Sequence, residues 1–351
     1  MLGLLGLLGA VFAGFMVDAL ASPDHRDEED DHGDDAATGA ATGAADGTDA
    51  GGGSMLDDPD QASDPDAGMP GSSDAPQARD GDVTLAGGER NDILTGDGGN
   101  DQISGDAGND LLGGRAGDDL IHGGDGVDWL HGGEGADTVS GDGGTDDLHG
   151  EAGDDRLGGG DGNDSLSGDG GRDNLAAGKG DDGLIGGAGA DVLRGGLGDD
   201  ALQGGLGNDR AMGGGGSDIV DGNDGDDSIW GGNSIWGDGD DDGAVDFLNG
   251  GTGNDELHVG AGDYANGGEG TDRFLLDDIA AGDPVAQITD FDHQQDALVL
   301  LYDAAHHADP EVSIVTEAGS PDAVVMLDGV AVAHVLGGAG LQAGDVTLQA
   351  A

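Results

Sequence analysis

The sequence predicts an all-β protein built around a flattened solenoid of short strands. Three observations predict it. The phrase Gly-Gly-x-Gly-x-Asp-x-aliphatic-x runs from Gly87 to Trp230 as sixteen nonapeptides that never slip phase. Glycine supplies 80 of 351 residues, too many for helices, where each costs about 1 kcal/mol against alanine. Each nonapeptide also offers a single x-aliphatic-x triplet, which suits a strand of about three residues followed by a turn of about six.

The elements follow in chain order. Residues 1–21 hold the long apolar run MLGLLGLLGAVFAGFMV, ended by Asp18. As a helix rising about 1.5 Å per residue, it barely spans a bilayer. No Lys or Arg precedes Arg26, although a secretory n-region carries one, while Ala19-Leu20-Ala21 has the small-x-small form of a cleavage site. A membrane tether, a cleaved signal and an unused start are the three readings. Residues 22–82 are acidic and poor in apolar side chains, and read as a disordered linker. His25 and His32 sit there among carboxylates that suit a transition metal, though a solvated acidic tail is the simpler reading.

Residues 83–275 are the repeat region. The first glycine is replaced only by Ala177, the fourth-position glycine only by Arg90, and the eighth-position aliphatic is weak only at Ala211. The sixth position never varies: Asp92, Asp101, Asp110, Asp119, Asp128, Asp137, Asp146, Asp155, Asp164, Asp173, Asp182, Asp191, Asp200, Asp209, Asp218 and Asp227. Two nonapeptides make one coil, and coils stack about 4.8 Å apart. Aspartates eighteen residues apart then form two ladders on opposite edges, one through Asp92, Asp110 and Asp128, the other through Asp101, Asp119 and Asp137. Like charges about 5 Å apart repel, so each ladder calls for cations between its rungs. Hard carboxylate and carbonyl oxygens, without cysteine and with few histidines, suit Ca²⁺ better than Mg²⁺, with about fourteen sites. Metal-free, one aliphatic per nonapeptide falls well short of the entropy of ordering nine residues, so the roll is expected to fold only on binding calcium.

The phase breaks after Trp230. Residues 231–236 read as a repeat lacking its Gly-x-Asp portion, and 237–249 as one lengthened in its turn. The rhythm returns at 250–258 and 267–275, adding Asp255 and Asp272 as metal residues. Residues 276–351 change texture: VAQITDF, DALVLLY, VSIVTE, AVVMLD and VAVAHVL read as five or six strands of a β-rich cap.

The nonapeptide resembles that of the RTX (repeats-in-toxin, haemolysin-type) calcium-binding family, over residues 87–275. The resemblance implies a parallel β-roll, calcium in the turns and export by a type I secretion system. ITDFDHQQDALVL (288–300) is similar to the strand-rich segment that follows such repeats, and GDVTLQAA resembles an uncleaved export signal. The apolar start departs from that pattern, since such substrates usually carry no N-terminal signal.

Other motifs have plainer readings. Asp238, Asp240, Asp242 and Gly243 match half an EF-hand loop, with Asp246 at its ninth position but Asn249 in place of the closing Glu. The choice is an extra calcium site or a loop bulging from the roll. His122, His131, His149 and His258 occupy the outward ninth position, and His131 and His149 fall on one face. They read as a zinc site or, more simply, a solvated ladder. Trp129, Trp230 and Trp236 read as edge packing. Neither H-E-x-x-H, G-x-S-x-G nor a Walker loop occurs, which argues against an enzyme. A formal charge of −65 repels nucleic acid, and leaves the N-terminal segment as the one membrane contact. The expected protein is extracellular or surface-tethered, with calcium ions as partners. An adhesin or matrix component holding cell surface or polysaccharide is the alternative, and an enzyme hidden in residues 276–351 a third.

Overall fold

In the computed structural model, residues 81–232, 243–276, 282–304, 307, 309–316 and 319–350 are described. The apolar start, most of the acidic linker and residues 233–242, with Asp238, Asp240, Asp242 and Trp236, lie outside them. Among the described residues no helix is long and apolar enough to cross a membrane.

Each nonapeptide forms one strand and one tight turn. Successive strands alternate between two sheets, one of 13 strands and one of 14. Within the repeats every pairing is parallel, and partners stand eighteen residues apart: Leu130 beside Leu148, Val139 beside Leu157. Two nonapeptides therefore make one coil of a β-roll, as the period predicts.

The strands are longer than the sequence predicts. Gln102–Ala107 and Leu111–Ala116 span six residues each, so the turn between them shrinks to Gly108, Asn109 and Asp110. The first glycine and its neighbour continue the strand through a kink. Pairing runs Ser104 to His122, skips one residue, and resumes at Asp106 with Gly124. At this second position the backbone is left-handed, with φ of 117° at Gly124 and 73° at Asp106. A kink stacked on an identical kink still meets its hydrogen-bond partners, which is why coiling tolerates it.

The core is thin. The eighth-position side chains stack as two facing rows, from Leu94, Leu112 and Leu130 in one sheet and Ile103, Ile121 and Val139 in the other, all at most 3% exposed. Ala211 keeps its place in the row at 1% exposure, with a smaller side chain. Where the sequence loses phase the roll does not. Val220 pairs with Leu248 and Ile229 with Leu257, so the register resumes across a separation of 28 residues.

Among the described residues six strands follow Leu276, and they prolong the same two sheets. Ala297–Tyr302 pairs in parallel with Arg273–Leu276 and Val346–Ala350, extending the first sheet. Ala286–Ile288 extends the second and pairs with Val330–Val335. Ala323–Leu327 and Val312–Thr316 then close that sheet with antiparallel pairings.

Candidate metal centre

All eighteen aspartates named from the sequence fall into the two ladders. One runs through Asp101, Asp119, Asp137, Asp155, Asp173, Asp191, Asp209, Asp227, Asp255 and Asp272. The other runs through Asp92, Asp110, Asp128, Asp146, Asp164, Asp182, Asp200 and Asp218. A backbone bond makes each rung: the N–H of one aspartate donates to Oδ1 of the aspartate in the next coil. Asp110 donates to Asp128 at 2.8 Å, and Asp128 to Asp146 at 2.9 Å. The phase break is bridged, with Asp218 donating to Asp246 at 2.9 Å and Asp227 to Asp255 at 2.8 Å.

The second oxygen of the rung is the chemically telling atom. From Asp101 to Asp209, and again at Asp227 and Asp255, Oδ2 is buried and takes no hydrogen bond. It lies over the first glycine of its own repeat. A Cβ placed on Gly105 would stand 2.2 Å from Asp110 Oδ2 and 2.6 Å from the carbonyl oxygen of Gly123 in the next coil. On Gly168 the same distances, to Asp173 Oδ2 and Gly186 O, are 2.5 and 2.6 Å. Thus glycine opens a hollow walled by a carboxylate oxygen and a carbonyl oxygen. A buried carboxylate oxygen without a donor is costly unless a proton or a cation lies with it.

The donor set fits calcium: hard oxygens only, mixed from carboxylate and backbone. Among the described residues no three His, Asp or Glu side chains gather as a metal site, so backbone carbonyls must supply much of any shell. At Asp137, Asp146, Asp173, Asp200 and Asp227, burial and then the charges of neighbouring rungs raise the carboxyl pKa, against the lowering effect of the backbone N–H. Asp173, Asp200 and Asp227 are pushed up to about 7, and Asp137 and Asp146 to about 6. The folded chain thus binds protons that the unfolded chain, at 3.8, has released. Stability without metal therefore falls as pH rises through the window from about 4 to about 7. Metal-free protein is expected to show more strand by circular dichroism at pH 5 than at pH 8; equal spectra would contradict this.

Three rungs escape the sequence reading: Asp246, Asp263 and Asp296. Asp246, met as the ninth position of an EF-hand-like loop, is a ladder rung, donating to Asp263 Oδ1 at 3.0 Å. Asp272 donates to Asp296 Oδ1, also at 3.0 Å. Their one signal is local, an aspartate two residues before a core side chain, as in Asp296 and Leu298. These last rungs differ from the others. Asp263 Oδ2 accepts Gly260 N–H and Asp296 Oδ2 accepts Asp292 N–H, both at 2.7 Å, so backbone donors close each ladder.

Fifth-position Asn and Asp side chains build an outer ladder that the sequence reading also missed. Asn100 Oδ1 accepts Asp118 N–H at 3.1 Å, and Asp118 Oδ1 accepts Ala136 N–H at 2.9 Å. These bonds come from the following coil, whereas the rungs accept from the preceding one, so turns with Asn or Asp at the fifth position, such as those of Asn100 and Asp118, are tied in both directions. His131 and His149 are neighbours, their rings stacked 5.0 Å apart at 7°. Stacked rings do not converge on one ion, and each turns instead to a carboxylate, Glu151 and Asp147, both at 3.2 Å. Trp230 stacks on His258 at 4.8 Å.

No curated protein is significantly similar to the chain. The RTX calcium-binding nonapeptide repeat, in contrast, matches over nine overlapping stretches that run unbroken from 80–112 to 203–234, with a tenth at 242–274. Those matches cover more than half of the chain. With its parallel roll and in-register aspartates, the chain belongs to the family of RTX calcium-binding nonapeptide repeat proteins.

Proposed function

We propose that the two aspartate ladders hold rows of calcium ions and that the chain, exported unfolded, becomes a roll on meeting extracellular calcium. The reading rests on the row of buried Oδ2 atoms, each facing a carbonyl oxygen and no donor. The eighteen ladder aspartates and the first-position carbonyls are the ligands. Asp246 joins them, while Asp263 and Asp296 close the rows. Calcium supplies the positive charge that lets these oxygens be buried together, and about fourteen ions cancel about 28 charges. Extracellular modules bind calcium at about 10⁻⁴–10⁻³ M, so such sites stay empty in the cytosol and fill outside.

Equilibrium dialysis of the full chain against calcium tests the count. Ten or more bound ions, poorly displaced by equal magnesium, is the expected result, and fewer than about five would refute the ladder. One repeat is expected to be deficient. Ala177 places a methyl where other repeats have the hollow, beside Asp182. Ala177→Gly should add one ion and raise the thermal midpoint in calcium, which the same dialysis and a melt would read.

A calcium-dependent adhesin or matrix component is the second reading. Ile93, Leu111 and Trp129 favour it, since they stand in register on one face at 68%, 43% and 45% exposure. Surface attachment unchanged by EGTA would count against it.

A further inference from the structure

The chain has 75 acidic and ten basic residues, yet four adjacent strands of one face carry no acid at their outward positions, with Asp142 flanking them in the next strand. In the first sheet, Arg156–Asp161, Asn174–Lys179, Val192–Leu197 and Arg210–Gly215 lie side by side in register. Their outward positions are the seventh, the ninth and the second of each repeat. Arg156, Arg194 and Arg210 stand there with Asn174, Val192 and Met212, and glycine or alanine fills the rest. The corresponding rows of the second sheet carry Asp147, Glu151, Asp169 and Asp221.

The three arginines form no ion pair among the described residues. Arg194 Nη1 donates to Asn174 Oδ1 at 3.1 Å. The acid at the rim, Asp161, is taken by Lys179 Nζ at 2.6 Å. Arg156 and Arg210 are three strands apart, about 14 Å along the roll axis at about 4.8 Å per step. Between them in the same row stand Asn174 and Val192, and alongside it the floor is flat, because the second position is glycine in all four strands: Gly160, Gly178, Gly196 and Gly214.

We propose that this face binds a linear carboxylated polysaccharide laid along the roll axis. Guanidinium pairs with carboxylate through two parallel hydrogen bonds; Arg156 and Arg210 offer two such groups in the seventh-position row, and Arg194 a third, set two residues across in the ninth. A flat floor without a pocket selects an extended chain over a small anion. Val192 and Met212 give the C–H faces of the sugar rings an apolar surface. Nucleic acid is disfavoured, since three cations do not offset phosphate charge density against a chain of −65. A second copy is disfavoured by the same self-repulsion.

The inference rests on the calcium-folded roll, so far-UV circular dichroism in saturating calcium comes first; a chain without strand signal there overturns both readings. With the roll formed, titration calorimetry with a short, non-gelling oligogalacturonate reads this one alone. Binding is expected for the parent chain and absent for a neutral galactan of equal length. R156A/R194A/R210A should weaken binding about tenfold or more and leave the calcium midpoint of folding in place. R90A/R115A/R172A, with equal charge loss, should bind like the parent. No binding by the folded parent, or equal weakening in both triple variants, overturns the proposal. So does self-association in sedimentation that the arginine triple abolishes, which would give the face to a second copy.

Discussion

Gly168→Val is expected to lower stability in saturating calcium by about 3 kcal/mol, the upper range for overpacking. The cause is local. The new Cβ would stand 2.5 Å from Asp173 Oδ2 and 2.6 Å from the carbonyl oxygen of Gly186, filling the hollow and pushing both oxygens apart. Gly113→Val is the control, since nothing lies within 4 Å of its added Cβ. It should change stability by less than about 0.5 kcal/mol. Urea midpoints of the two variants in calcium check the pair. Equal losses would mean that glycine serves only backbone freedom and that no hollow matters.

The second large effect separates the two oxygens of a rung. Asp173→Ala removes the acceptor of Asp155 N–H, a 2.8 Å bond, as well as the oxygen over Gly168. In calcium it should cost about 3 kcal/mol, from an orphaned buried N–H and a damaged site. Asp173→Asn keeps an acceptor for that N–H and removes only the charge. Burial and the charges of Asp191 and Asp155 already push the Asp173 carboxyl up to about 7, so its ionised form opposes folding without metal. At pH 8 the asparagine variant should therefore be more stable than the parent in EGTA and less stable in calcium. Residual strand by circular dichroism in EGTA and urea unfolding in calcium measure the two signs, and the same sign in both would contradict a shared cation site.

Much of this was legible in the sequence because a solenoid repeats its environment. A nine-residue clock places every sixth-position aspartate in one setting and every eighth-position aliphatic in another, so Asp128 finds Asp110 and Asp146 by counting alone. Asp246, Asp263 and Asp296 were hidden because insertions and deletions shift the count while the strands keep pairing. Ile229 reaches Leu257 across 28 residues, which parallel stacking allows and arithmetic does not announce. Strand length was misjudged for a different reason. Glycine reads as a turn signal, yet here Gly105 and Asp106 continue the strand, because a kink can be stacked upon a kink. The arginine face was invisible because Arg156, Arg194 and Arg210 lie far apart in a sequence dominated by acid, and only register brings them together.

The central claim is that calcium between the aspartate ladders makes the fold possible. Far-UV circular dichroism of the full chain, titrated with calcium from an EGTA-treated state near pH 7.5, tests it most directly. The account predicts a largely unordered spectrum that converts cooperatively to strand between about 10⁻⁴ and 10⁻³ M calcium, and reverts on adding EGTA. A strand spectrum already complete in EGTA and unchanged by calcium would contradict it.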